Sequence, residues 1–354
     1  MTEPPTPAPP RVVMVTGAST FLGGYLVRRL AKRSDIERVI GVDAVPPTKD
    51  MRRRMEPAEF IRADYRSHIF GKIMATNEVD TVVHAATSIM DNHWPSGATK
   101  DAIVFGSMRV FAACQKSEQV KRVVMRSSTT VYGSRSRGPS LMPEDAVDTG
   151  RAAGHARDLL DAETYARSMA RRRSDIALTV LRTAPILGPD MESLMRSLFE
   201  HPIVPTLFGR DARLQLLHQD DALGALEHAV SGGKVGTFNI AGDGAIAMSQ
   251  AVRLAGRLQV PVIRPAFGLT VSALRGRPTL SGPQSHLDYL SYGNAFDTTR
   301  MRDEFGFVPK YTTRATMEDV TRRGPVESTI SVDSITAVEQ RVVSLARRLA
   351  TVGT

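Results

Sequence analysis

The segment Arg11–Arg33, RVVMVTGASTFLGGYLVRRLAKR, constrains the fold more than any other part of the chain. Val12, Val13, Met14 and Val15 form an apolar run of strand length. Thr16-Gly17-Ala18-Ser19-Thr20-Phe21-Leu22-Gly23 follows. Tyr25, Leu26, Val27, Leu30 and Ala31 then recur at helical spacing, with Arg28, Arg29, Lys32 and Arg33 on the other face. A buried strand, a glycine turn and an amphipathic helix make the opening βα unit of a dinucleotide-binding sheet. Gly17 permits the tight turn and Gly23 lets the helix lie close on the strand. The helix N-terminus offers free N–H groups and a partial positive charge to a pyrophosphate. Position 20 is Thr where a G-x-x-G-x-x-G turn has its middle glycine. Thr20 either crowds a phosphate there or offers it a hydroxyl, and the same turn also occurs in βα units that bind nothing.

Arg38 to Val42 reads as the second strand, ending at Asp43, which lies 26 residues after Gly17. An acid at that offset accepts a hydrogen bond from the adenosine ribose 2′-hydroxyl and repels a 2′-phosphate. NAD is therefore expected over NADP, although Arg52, Arg53 and Arg54 follow closely. Further strands are expected at Glu59–Ala63, ending at Asp64, at Val79–His84, running into Ala85-Ala86, at Arg122–Arg126 and at Ile176–Leu181. Helices are expected at Lys100–Lys116 and Gly154–Arg173. This β-α alternation predicts a doubly wound parallel sheet. The hydroxyl cluster Ser127-Ser128-Thr129-Thr130 stands at the carboxyl end of the fifth strand, where open α/β sheets bind ligands. Beyond Gly188-Pro189 the pattern loosens. A helix is expected over Glu192–Phe208, a strand over Leu214–Leu217, a helix from Asp220 to Val230 and a strand over Gly236–Ile240. Gly268 to Ser291 shows no period, and a last amphipathic helix carries Ile335, Val338, Val342, Leu345 and Leu349.

A chain of 354 residues, 42% hydrophobic and 23% charged, suits one large or two modest globular domains. No apolar run is long enough to span a membrane. Cys114 is the single cysteine, so no internal disulfide forms, and a reducing, cytoplasmic location is the expectation. The net charge of +9 comes without any aromatic-interleaved basic groove, so nucleic acid is not an expected partner. No metal-ligating cluster stands out either.

Taken in order, these residues resemble the extended short-chain dehydrogenase/reductases, in the NAD-dependent epimerase/dehydratase branch that includes UDP-glucose 4-epimerase. The resemblance runs from Val12 to about Val320. It rests on the TGASTFLG turn, Asp43, Asp64, His84-Ala85-Ala86, Gly106-Ser107, the run Ser127 to Gly133, Glu163, Val180-Leu181-Arg182, Gly188-Pro189, His218 to Asp221, Phe238 to Gly242, and Asp297 through Phe307-Val308-Pro309. It implies an α/β fold: a Rossmann-type doubly wound parallel sheet with a smaller C-terminal α+β substrate domain. The corresponding division is a Pro-rich tail at 1–10, an NAD domain at 11–188 whose sheet is completed by about 214–240, a substrate domain mainly at 189–322, and an extension at 323–354. The implied cofactor-binding residues are Gly17, Ser19, Thr20, Phe21, Leu22, Gly23, Asp43, Asp64, Tyr65, His84, Ala85 and Ala86. The implied ligand is a small molecule such as a nucleotide sugar. A homodimer through the helices near 100–116 and 154–173 is also implied.

The chain departs from the family at its chemistry. The family uses Tyr as acid/base, a Lys four residues later that lowers the Tyr pKa, and a Ser or Thr on the reacting oxygen. A free phenol titrates near 10, far from a useful base, which is why the Lys is needed. Ser128 fills the Ser position. The Tyr position falls on His155 and the Lys position on Leu159. Three readings stay open: His155 as the base, since imidazole needs no Lys to titrate near neutrality; His155 as an ordinary residue at a helix start; or Tyr165 acting from the same helix. Pro185, Leu214 and Ile103 replace further polar residues that hold the sugar nucleotide in the family. A protein that binds NAD without catalysis is the corresponding alternative to an epimerase or oxidoreductase.

Overall fold

The computed structural model describes residues 8–87, 98–134, 139–147, 152–232, 234–263 and 284–323. The apolar run of the opening segment becomes β1 (Val12–Thr16), every residue of it buried, and Phe21–Leu30 becomes α1. The chain continues through β2 (Arg38–Asp43), α2 (Lys49–Met55), β3 (Glu59–Arg62), α3 (Ile69–Thr76), β4 (Thr81–His84), α4 (Ala98–Lys116), β5 (Arg122–Ser128), α5 (His155–Arg172) and β6 (Ala177–Thr183). After β7 (Ile186–Leu187) come α6 (Leu194–Glu200), β8 (Ile203–Leu207), β9 (Arg213–Leu214), β10 (Leu217–His218), α7 (Gln219–Gly232) and β11 (Gly236–Ile240).

Seven strands form one sheet in the order β11-β6-β5-β4-β1-β2-β3, every neighbouring pair parallel. The order reverses between β1 and β4, so the chain leaves the middle of the sheet in both directions. The right-handed crossovers this demands put helices on both faces. α1 packs against α2 and α7, and α4 packs between α3 and α5. Strands covered on both sides need near-continuous apolar sequence, which is what Val12–Val15, Val82–Val83 and Val123–Met125 supply. Among the described residues, the main core runs from Val12 to Phe305.

A second apolar cluster gathers Leu187, Met195, Leu198, Phe199, Val204, Leu214, Met248, Val252 and Met317 beyond the carboxyl ends of the sheet strands. Short paired strands frame it. β8 pairs with β13 (Leu258–Val262), and β9 lies between β12 (Ile246–Ala247) and β14 (Gly293–Asn294). The helix expected over Glu192–Phe208 is corrected here. It ends at Glu200, and Ile203–Leu207 is strand. Pro202 disfavours helical backbone at His201, and Pro205 removes an N–H that a continuing helix would need. The strand expected over Leu214–Leu217 is also two pieces. Between them Gln215 turns inward, donating from Nε2 to Gly242 O and accepting from Phe296 N through Oε1. The short helices α2, α3 and α8 (Met248–Leu254) are not among the elements expected from the sequence. At the N-terminus, Ala8 O accepts from buried Arg122. The amphipathic pattern from Ile335 to Leu349 lies outside the described residues.

Candidate active site

The turn after β1 is shaped by two glycines that admit no side chain. Gly17 has φ +76, and a Cβ built there would stand 3.0 Å from Ala86 Cα; one on Gly23 would stand 2.0 Å from Gly17 O. Gly17 thus brings the end of β1 against the end of β4, at the point where the strand order reverses. The structure resolves Thr20 in a way the sequence did not suggest. Its hydroxyl caps α1, accepting from Gly23 N at 3.1 Å and donating to Gly17 O at 2.8 Å. Both of its hydrogen bonds stay within the turn. The main-chain N–H groups of Phe21 and Leu22 are left as the first-turn donors of a ten-residue helix. Their side chains pack instead: Leu22 is fully buried and Phe21 lies against Tyr25 at 4.5 Å between ring centroids.

Asp43 stands beside this turn. Its carboxylate accepts from Ser19 N at 3.1 Å and Val45 N at 3.3 Å, while the Ser19 hydroxyl donates to Val45 O. Burial raises the Asp43 carboxyl above its ordinary value, against the lowering by these N–H donors. A carboxylate has about four lone-pair directions, so further hydroxyl donors can be accommodated. Asp64 forms a two-pronged pair with Arg66, which donates from Nε to Oδ1 at 2.9 Å and from Nη2 to Oδ2 at 2.7 Å. The Tyr65 ring covers Gly106, where an added Cβ would fall 2.4 Å from Tyr65 Cε2. His84 is fully buried, with Nδ1 at 2.8 Å from Thr16 Oγ1 and Nε2 at 2.9 Å from Ser107 Oγ. Burial pushes its pKa down to about 3, so the ring stays neutral. The side chains of Tyr65 and His84 are thus committed to the core, and any contact with a ligand falls to their main chain. Ala85 and Ala86 supply the small strand end expected of them, buried beside Gly17.

The chain next to Ala86 leads into an open cleft enclosing about 990 Å³ of space, open solvent included. Ser128 and His155, 27 residues apart in sequence, both line it. Ser128 ends β5, and its hydroxyl caps the single turn Thr129–Tyr132, accepting from Thr130 N at 3.2 Å with Thr130 Oγ1 at 2.8 Å. His155 is the first residue of α5, after Gly154 at φ +54. Tyr165 lies ten residues further along the same helix, about 15 Å away by helical rise, and is absent from the described lining. Leu159 is fully buried in the main core, Leu214 is buried in the second cluster, Ile103 is core, and Pro185 lines the cleft.

A buried polar network supports the floor of the cleft. Glu163 of α5 accepts from Ser127 Oγ at 2.6 Å and from Arg182 at 2.7 and 3.0 Å, and Arg167 adds a further pair. Arg182 also donates to Tyr132 Oη at 2.9 Å, and Tyr132 donates to Asn239 Oδ1 at 2.6 Å. Burial pushes the Tyr132 phenol up to about 12. The network ties β5, β6, β11 and α5 together, holding Ser128 and His155 on a common frame. Sequence reasoning missed Thr87, Arg126, Thr183, Ser193, Tyr289 and Asn294 as lining residues. Arg126 was detectable: it is a charged residue inside an apolar strand, on the face of Ser128 by alternation. Tyr289 and Asn294 come from a stretch without period and gave no signal. Among the described residues there is no metal-ligating cluster and no helix long and apolar enough to cross a membrane.

Residues 13–241 match the model of the NAD dependent epimerase/dehydratase family. The chain belongs to this family. Similar curated proteins include an uncharacterized protein of Mycobacterium tuberculosis, 48% identical over 346 residues, which are 97% of this chain and 92% of the relative. Among solved structures, dTDP-glucose 4,6-dehydratase from Bacillus anthracis in complex with NAD superposes at TM-score 0.67 and 17% identity, over 88% of this chain and 96% of that one. UDP-glucose 4-epimerase from Thermotoga maritima with UDP-glucose superposes at TM-score 0.65 and 19% identity, over 88% and 98% of the two chains. At these identities the structural likeness shows the fold. The epimerase/dehydratase family therefore accounts for the Rossmann-type architecture of this chain.

Proposed function

We propose that the chain is a cytoplasmic, NAD-dependent enzyme that acts on a nucleotide sugar as an epimerase or oxidoreductase. The observation that carries this reading is that Ser128 and His155, from two different elements, line one cleft, whose lining residue Thr87 follows directly on Ala86 beside the β1 turn. The turn fits a dinucleotide: Gly17 and Gly23 let β1, the end of β4 and α1 pack backbone to backbone with no side chain between them, the Thr20 hydroxyl is engaged within the turn, and two N–H groups stand at the start of α1. Gly17, Gly23, the main chain of Ser19 to Leu22, and Asp43 would hold the cofactor, with Asp64, Tyr65, His84, Ala85 and Ala86 beside it. When bound, NAD supplies reversible hydride acceptance. The protein's own contribution is proton handling. His155 takes a proton from the substrate hydroxyl and returns it, and the Ser128 hydroxyl donates to the same oxygen. An imidazole nitrogen takes up and releases a proton without the neighbouring Lys that a phenol base requires. The bound ligands named for the two solved relatives, NAD and UDP-glucose, support the same ligand classes here.

A second reading is favoured by a specific observation. The position of the family's Lys is Leu159, sealed in the apolar core, and the Tyr is gone. This fits a protein that binds NAD as a sensor or interaction partner without turnover. The readings separate in one assay. NAD-loaded protein is incubated with UDP-glucose, UDP-galactose and UDP-glucuronate, and epimer and reduced cofactor are quantified. Formation of either product supports the enzyme. Retention of bound NAD with no product from any of the sugars favours the second reading.

A further inference from the structure

One permanently charged side chain stands among the described residues that line the cleft: Arg126 of β5, which is 7% exposed. The other polar lining groups are hydroxyls, the Asn294 amide and the His155 ring, and no carboxylate is among them. Strand alternation sets Arg126 on the face of Ser128, two residues earlier and about 7 Å back along β5. The intervening Ser127 points the other way, donating to Glu163. The backbone at this point is anchored, because Thr87, which leaves the end of β4 and itself lines the cleft, donates its hydroxyl to Arg126 O at 2.8 Å. Arg126 therefore sits at the junction between the cofactor turn and the pair Ser128–His155.

A guanidinium withdrawn from water loses hydration that a partner of opposite charge restores. Arg126 has an interaction within the chain, and a guanidinium carries five N–H donors in a fixed planar fork. A fork of donors, with no carboxylate among the described lining residues, is suited to two-pronged recognition of a carboxylate or a phosphate. We infer that Arg126 binds an anionic group of the ligand beside the reacting centre. This rests on the reading of the cleft as the substrate site. The anion has two sources: a carboxylate on the sugar, as in a uronic acid, or a phosphate of the dinucleotide.

The test is calorimetric. NAD, UDP-glucuronate and UDP-glucose are each titrated into wild type, Arg126→Gln and Arg126→Lys, with melting curves confirming that each variant is folded. If the sugar carries the anion, wild type binds UDP-glucuronate about tenfold or more tighter than UDP-glucose. Arg126→Gln then erases that preference while leaving UDP-glucose and NAD unchanged, and Arg126→Lys is intermediate. If the dinucleotide carries it, Arg126→Gln weakens NAD about tenfold and leaves both sugars alike. Either result supports the assignment. Unchanged affinities for all three ligands, or tighter NAD binding on loss of the guanidinium, would overturn it. If wild type binds neither NAD nor sugar, the proposed function fails, and inorganic pyrophosphate becomes the probe. Binding by wild type that is lost in Arg126→Gln then still supports the anion site, and no binding by wild type overturns it. If Arg126→Gln does not fold, Arg126→Lys carries the comparison: it weakens the anionic ligand severalfold, and unchanged affinities in it overturn the assignment.

Discussion

Glu163→Gln is expected to destabilise the protein by about 3–5 kcal/mol, because it removes the anion facing a buried guanidinium. The Glu163 and Arg182 side chains are 0% and 3% exposed, and they meet at 2.7 Å. Burial pushes the Glu163 carboxyl up, but the hydrogen bond and charge of Arg182, with Arg167 and Ser127, outweigh it and hold the group below its ordinary 4.5. The sign of the pH effect follows. A carboxyl with a lowered folded-state pKa stabilises fully above its unfolded value and loses that contribution as pH falls through the folded value. Melting curves at neutral pH should therefore place the variant about 4–7 °C below wild type for a chain of 354 residues. The gap should close below about pH 4.5 as the wild-type carboxyl takes up its proton. Coincident melting at neutral pH would show that the network contributes nothing to stability.

His155→Ala is expected to lower kcat by about 10²–10⁴-fold, the usual contribution of a positioned acid/base group, while leaving NAD affinity unchanged. The side chain lines the cleft at the start of α5, and the β1 turn that would hold the cofactor contains none of its atoms. Ser128→Ala should lower kcat in the same direction by a smaller factor, because in the proposed mechanism Ser128 only donates to the oxygen that His155 would deprotonate. Turnover of each sugar nucleotide is measured beside calorimetric NAD binding. Unchanged kcat in His155→Ala removes His155 from the mechanism and leaves it as the first residue of a helix. Loss of NAD binding in step with kcat would instead give it a structural role.

The central sheet was legible in the sequence because strands covered on both faces need unbroken apolar runs, and this chain carries them at β1, β4, β5 and β6. The second layer was harder to read. Its strands are two to five residues long, and its sequence mixes Pro and Gly with apolar residues, so Glu192–Phe208 reads as one helix until Pro202 and Pro205 are weighed. Of the site, the turn, Asp43, Ser128 and His155 could be found by order and offset. The role of Thr20 could not. A missing glycine reads as a defect, yet its hydroxyl replaces that glycine's freedom with a cap. Arg126 was passed over because a lone arginine in a strand carries no motif. Its place became clear only when the strand face and the cleft were seen together.

The central claim is that the turn between β1 and α1 holds NAD. It is tested most directly by calorimetric titration of purified protein with NAD and NADP, after any co-purified nucleotide has been stripped and quantified. The account predicts tight binding of NAD, with NADP weaker by about tenfold or more because the Asp43 carboxylate repels a 2′-phosphate. No binding of either, with no nucleotide released on stripping, would contradict it.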